Sequence, residues 1–292
     1  MSNSSYFRDK VVLITGASSG IGEELALQLG HAGAKVTITA RRKELLDSLA
    51  QKIATYGRVR ALAIACDVTQ DGALEAAVAE STRHWGRLDV VIANAGFGVV
   101  GPVRKLTVED YRRQLETNVF GVLRTIYAAL PEIERTKGHL AIVGSVSGWA
   151  STPGVSPYSM SKFALRALAD SITPELALSG VKVTLISPGF VVSDIRRVDN
   201  QGTMHADAKD PIPSWLVMST EKACRQMLQS IASGKREAII TGHGKALVAL
   251  ARFAPWILRA VGRKMAAGKG GYRNEAKAAD GTAAKRGTKA GA

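Results

Sequence analysis

The chain has 292 residues, 46% hydrophobic and 22% charged, enough apolar material for a sizeable core, which excludes disorder of the whole. The formal charge of +14 raises nucleic acid, an anionic membrane and an anionic ligand as partners, but eleven basic and two acidic residues follow residue 244, so nine of the fourteen charges lie at one end. The two cysteines, Cys66 and Cys224, are far apart with no histidine at ligand spacing, so neither a disulfide framework nor a metal site is expected.

Residues 1–8 are short and polar, without the apolar run of a secretory leader, which makes a reducing cytoplasm the expected compartment. A β-branched strand at 10–15 then runs into TGASSGIG at 15–22, where a helical period (20–30) begins. Gly16 permits a tight turn, Gly20 lets backbone N–H groups approach a pyrophosphate at the positive helix end, and Gly22 lets the helix pack on the strand. Ser18, Ser19 and Ile21 join them as candidate cofactor-binding residues. The spacing is GxxxGxG rather than GxGxxG, and a glycine turn with no ligand is the competing reading.

A second strand, 35–39, is followed by Arg41 and Arg42, where an NAD site would place Asp or Glu. A guanidinium there suits a 2′-phosphate; a charge-assisted hydrogen bond of about 1.5–3 kcal/mol gives roughly ten- to a hundredfold preference for NADP. The alternative is two solvated arginines capping a strand. Further strands follow at 59–65, 89–93, 139–144, 181–187 and 237–241, alternating with helices at 42–56, 70–85, 107–135, 157–178 and 220–233. Seven strands alternating with helices predict a doubly wound parallel α/β sheet.

On the helix at 157–178, Tyr158 and Lys162 share one face at i and i+4. An ammonium about 4 Å from a phenol, at an effective dielectric near 20, gains about 4 kcal/mol, enough to bring the phenol from about 10 to near 7 and make it a general acid. A packed tyrosine beside a snorkelling lysine is the alternative. Residues 190–216 fit neither period and follow a strand's carboxyl end, as a functional loop does. Beyond residue 244, Leu247, Leu250, Ala251, Ala254, Ile257, Leu258 and Val261 form one helical face and Arg252, Arg259 and Arg263 the other. The arginines interrupt every run long enough to span a bilayer. Phe253 and Trp256 suit an anionic membrane interface, with packing on the domain or on a partner subunit as the alternative, and Pro255 kinks or divides the helix. Residues 266–292, rich in Gly, Ala and Lys, are expected to be disordered; their charge alone does not argue for nucleic acid, since only Tyr272 interrupts the basic stretch.

These motifs, in this order, resemble the short-chain dehydrogenase/reductase family in its single-domain form, over about residues 8 to 241. The resemblance rests on the glycine turn, Asp67 and Val68, Asn94, Ala95 and Gly96, Asn118, Ser145, Tyr158, Lys162, and Pro188 and Gly189. It implies a Rossmann-like fold and NADP(H)-dependent interconversion of a carbonyl and a secondary alcohol. Tyr158 would protonate the carbonyl oxygen, Ser145 orient it, Lys162 lower the tyrosine's pKa and hold the nicotinamide ribose, and Asn118 help bind a relay water. Asp67 and Val68 would flank the adenine; Asn94, Ala95 and Gly96 would wall the cofactor; Pro188, Gly189, Val191 and Ser193 would contact its nicotinamide end. Ser147, Ser159 and Ser161 are expected to be structural.

The division expected is a catalytic domain at 8–243, a basic helix at 244–265 and a tail at 266–292. Similar C-terminal extensions in family members acting on lipid-like ketones suggest a lipophilic substrate and peripheral attachment to the cytoplasmic membrane face. The family also implies a homo-oligomer, dimer or tetramer. The alternative is a membrane-associated NADP(H)-binding protein without turnover.

Overall fold

Runs of β-branched residues make the strands: β1 (Val11–Thr15), β2 (Lys35–Ala40), β3 (Leu62–Ala65), β4 (Val90–Ala93), β5 (His139–Val143), β6 (Lys182–Ser187) and β7 (Glu237–Ile239). The helices are α1 (Asn3–Phe7), α2 (Gly20–His31), α3 (Lys43–Tyr56), α4 (Ala73–Trp85), α5 (Val108–Leu115), α6 (Gly121–Arg135), α7 (Ser156–Ala177), α8 (Thr220–Ala232), α9 (Gly242–Phe253) and α10 (Pro255–Ala267). The computed structural model describes residues 3–56, 61–193, 195, 199–200 and 212–267. Most of the tail expected at 266–292 therefore lies outside the described residues, although α10 continues to Ala267.

All seven strands are parallel, in the order β3-β2-β1-β4-β5-β6-β7. Every residue of β1 is buried, and its alternation divides the core. Val12 and Ile14 face a layer with Leu25, Leu29, Leu46 and Met227, whereas Val11 and Leu13 face Val78, Ile126, Ile133 and Leu165. Because β1 pairs with both β2 and β4, the chain reverses direction across the sheet there, and the loops on either side diverge. A crevice opens at such a point beyond the strands' carboxyl ends.

Three departures from the sequence reading have local causes. The polar N-terminus forms α1, which buries Phe7 completely and hangs the Tyr6 hydroxyl 3.4 Å from Nδ1 of His139. The helix expected at 107–135 runs without a gap from Val108 to Arg135, but it carries an unforeseen π-helical turn at Glu116–Phe120 between α5, opened by a Thr107–Asp110 capping box, and α6. The C-terminal helix starts at Gly242, because Thr241 leaves the strand to cap it by accepting from the Gly244 amide (3.1 Å), and it breaks at Ala254 before Pro255. That break is the division expected at Pro255.

Candidate active site

The glycine turn is shaped by how closely β1 and β4 approach. Gly16 and Gly20 have φ of 68° and 59°, and a Cβ on Gly16 would lie 2.7 Å from the Ala95 Cα. A Cβ on Gly22 would come 2.3 Å from the Gly16 carbonyl oxygen. Thr15, which sequence reasoning did not assign to the site, clamps the two strand ends: its hydroxyl accepts from the amides of Asn94 and Ala95, both at 3.1 Å. The Asn94 side chain donates back to the carbonyls of Thr15 (3.0 Å) and Gly16 (3.1 Å), and Gly96 is exposed beside it.

At the start of α2, Ser19 occupies the N-cap without a side-chain capping bond, so the first N–H groups of the helix keep their positive end for another acceptor. Ser18 and Ile21 flank it, half-buried. Arg42 reaches over this turn, its Nη2 donating to Ser18 Oγ at 2.9 Å and lying 3.5 Å from Ser19 Oγ; Arg41 is exposed next to it. A helix terminus without a side-chain cap, a cradle that a Cβ would fill and an adjacent guanidinium fit the phosphates of a dinucleotide.

The second half of the crevice is built on β5 and α7. Ser145 caps a short 3-10 turn (Val146–Gly148), its Oγ accepting from the Ser147 amide at 3.1 Å. That turn packs directly on α7: a Cβ on Gly148 would lie 2.6 Å from the Lys162 carbonyl oxygen. Lys162 is 6% exposed, donates from Nζ to the Val143 carbonyl at 3.0 Å, and lies 5.6 Å from the centre of the Tyr158 ring. The ammonium lies over the ring, and burial pushes its pKa down to about 8. Gly98 lies along the same ring; a Cβ there would sit 3.6 Å from Tyr158 Cδ2.

Asn118 sits in the π-helical turn with its side chain fully engaged. Its Oδ1 accepts from the Phe97 amide (3.0 Å), and its Nδ2 donates to the Phe97 carbonyl (3.0 Å) and to Ser161 Oγ (3.1 Å). Ser161 in turn donates to the Tyr158 carbonyl at 2.7 Å, so one bracket ties the π turn, the loop after β4 and the Tyr158 turn of α7. Beyond β3, the Asp67 carboxylate accepts from the amide and hydroxyl of Thr69, while Val68 packs against Gly121.

Beyond β6, the Pro188 carbonyl accepts from the Val146 amide at 3.0 Å, joining this loop to the Ser145 turn. Val191 pairs in parallel with Met218, Gly189 and Ser193 are half-buried, and Asn200 exchanges two hydrogen bonds with the Val100 backbone. The loop expected at 190–216 thus touches the segment after β4; its residues 194, 196–198 and 201–211 lie outside the described residues.

Two further residues near the site carried no sequence signal. Trp149 is buried behind the Ser145 turn, donates toward Ser187 Oγ at 3.3 Å, and has the guanidiniums of Arg166 and Arg252 at 3.4 and 5.3 Å from its ring centre. His243 meets the backbone beyond β6. Val248 of α9 packs with Val146 and Trp149, so this helix lies on the domain, whereas α10 buries no residue. Among the described residues no helix is long and apolar enough to cross a membrane.

The model of the short chain dehydrogenase family matches residues 10–203. Dehydrogenase/reductase SDR family member 7B of Mus musculus is 35% identical over 195 residues, 65% of this chain and 60% of that protein. An uncharacterized oxidoreductase of Staphylococcus epidermidis is 34% identical over 185 residues, covering 63% of this chain and 79% of that one. A solved short-chain type dehydrogenase/reductase from Mycobacterium marinum aligns with a TM-score of 0.70 at 28% identity, over 82% of this chain and 96% of its own. A second, from Burkholderia phymatum in complex with NAD, shares the fold with a TM-score of 0.76 at 21% identity, over 87% and 95%. With its seven-stranded parallel sheet and a family match across two thirds of its length, the chain belongs to the short-chain dehydrogenase/reductase family.

Proposed function

We propose that the protein is an NADP(H)-dependent oxidoreductase interconverting a ketone and a secondary alcohol on a lipophilic substrate. The observation that carries the reading is the buried Lys162 ammonium, set between the Val143 carbonyl and the Tyr158 ring, with the Ser145 turn packed on the same helix. When bound, the nicotinamide supplies or receives the hydride. Tyr158 donates its hydroxyl proton to the carbonyl oxygen during reduction, Ser145 orients that oxygen, and Lys162 stabilises the phenolate left behind and holds the ribose. The Asn118 amide is spent on Phe97 and Ser161, so its part is to fix the π turn, and a relay water there would rest on main-chain atoms.

Gly16, Ser18, Ser19, Gly20 and Ile21 hold the pyrophosphate, Arg42 with Arg41 the 2′-phosphate, and Asp67 and Val68 flank the adenine. Asn94, Ala95 and Gly96 form one wall, and Pro188, Gly189, Val191 and Ser193 receive the nicotinamide end. Exposed Val100, Val192 and Trp215, on the segments that meet beyond β4 and β6, support an apolar substrate. Exposed Tyr127 and Phe163 on α6 and α7 support self-association as a dimer or tetramer. Trp256, Arg259 and Arg263 line a surface concavity on α10, which supports peripheral attachment to an anionic cytoplasmic membrane face.

Cofactor consumption with ketones of graded apolar size tests this reading. NADPH should be preferred over NADH by at least about tenfold, with kcat/KM rising with apolar size, and Arg42→Ala should bring the cofactor preference close to unity. A preference for NADH, or no turnover with any ketone, would overturn it.

A further inference from the structure

We propose that His243 is a positioning residue for the nicotinamide end of the cofactor site, an inference that rests on the functional reading above. It lies in the first turn of α9, remote in sequence from every motif of the site. Its Nε2 accepts the Phe190 amide proton at 2.9 Å, and its ring stacks on Phe190 with centres 5.3 Å apart and planes 22° apart. Since a backbone amide can only donate, Nε2 carries no proton; the imidazole is neutral and protonated on Nδ1. Thr241 Oγ1, which accepts from the Gly244 amide, lies 3.0 Å from the same Nε2. Burial lowers the His243 pKa, in keeping with that neutral form.

The loop is fitted to this side chain. A Cβ on Gly189 would come 2.1 Å from Thr241 Oγ1 and 2.4 Å from His243 Nε2, so glycine is what lets the backbone pass. On the other side, a Cβ on Gly244 would lie 2.9 Å from Val146 Cγ1, and Pro188 holds the Val146 amide. Three segments thereby close a ring: the turn bearing Ser145, the backbone from Pro188 to Val191, and the start of α9. Within it His243 is the side chain that fixes where the loop at 188–191 stands relative to Ser145.

Two variants separate this role from general stability. His243→Phe keeps a ring to stack on Phe190 and loses the acceptor, whereas His243→Gln keeps an acceptor at similar reach without the ring. Binding of NADPH, read by nicotinamide fluorescence, is compared with binding of adenosine 2′,5′-bisphosphate, which lacks the nicotinamide end, alongside amide exchange at Phe190 and thermal unfolding. The Phe variant should bind NADPH about tenfold more weakly and exchange the Phe190 amide faster, with the bisphosphate held within about twofold, and Gln should recover most of the NADPH loss. Unchanged NADPH binding in the Phe variant, equal weakening of both ligands, or no recovery with Gln would overturn the proposal. A wild type that binds neither ligand would overturn the cofactor reading itself; slow Phe190 exchange that quickens in the Phe variant would still support the anchor, and unchanged exchange would sink it.

Discussion

Burying an ammonium with one carbonyl and one ring for company has a consequence that can be read in solution. The charged form of Lys162 is disfavoured by desolvation, so its proton leaves as pH rises through about 8, instead of near the ordinary value of about 10.5. Below about 8 the charge that would support Tyr158 in the proposed reaction is present, and above it that charge is lost. For ketone reduction, kcat/KM should therefore fall about tenfold per pH unit above about pH 8, and Lys162→Met should give a low profile without that limb. A wild-type profile flat to pH 10 would remove Lys162 from the mechanism. The placing of Tyr158 and Lys162 one helical turn apart was legible from their spacing, whereas Ser145 entered only through the family resemblance. Thr15, Trp149 and His243 were not legible, because their partners lie 79, 38 and 53 residues away, distances at which pattern carries no geometry.

At the scale of elements, β5 is held at its start by a buried relay. Thr184 donates to the Lys235 carbonyl, so His139 Nε2 donates to Thr184 Oγ1 (2.8 Å), which leaves Nδ1 to accept from Tyr6. Burial holds the His139 pKa at about 4, with Lys182 and Lys10 pushing the same way. A histidine with a lowered folded pKa stays neutral in the fold while the unfolded chain takes up a proton; its stability contribution is whole above about 6.5 and is lost as pH falls toward about 4. The loss is about 3 kcal/mol, and the urea midpoint of wild type should drop across that window more steeply than that of His139→Gln. Parallel curves would contradict the relay. All seven strands were legible from their β-branched runs. The π turn was not, since the helical period runs through it unbroken and only the engagement of Asn118 with Phe97 marks the place.

Across the whole molecule, the C-terminal basic stretch divides its work at Ala254–Pro255. Its first half is claimed by the domain through Val248 and the Arg252 approach to Trp149, while α10 leaves Trp256, Ile257, Val261 and Met265 exposed beside Arg259, Arg263 and Lys264. The sequence offered a membrane as one partner for this helix, and the domain or a partner subunit as the other; the break gives α9 to the domain and leaves the apolar face of α10 uncovered. At about 1 kcal/mol per basic residue near an anionic surface, three of them predict roughly hundredfold tighter binding to vesicles containing phosphatidylserine than to neutral ones. The pair Trp256→Asp and Ile257→Asp should abolish that binding without altering NADPH affinity, and equal sedimentation with both kinds of vesicle would contradict it. In the proposed reaction the Tyr158 hydroxyl is the proton donor, at a site that would bind NADPH independently of it. That claim is tested most directly by measuring NADPH affinity and ketone turnover together in Tyr158→Phe. Affinity should stay within about threefold of wild type while turnover falls roughly 10²- to 10⁴-fold; turnover equal to wild type would rule Tyr158 out as the donor.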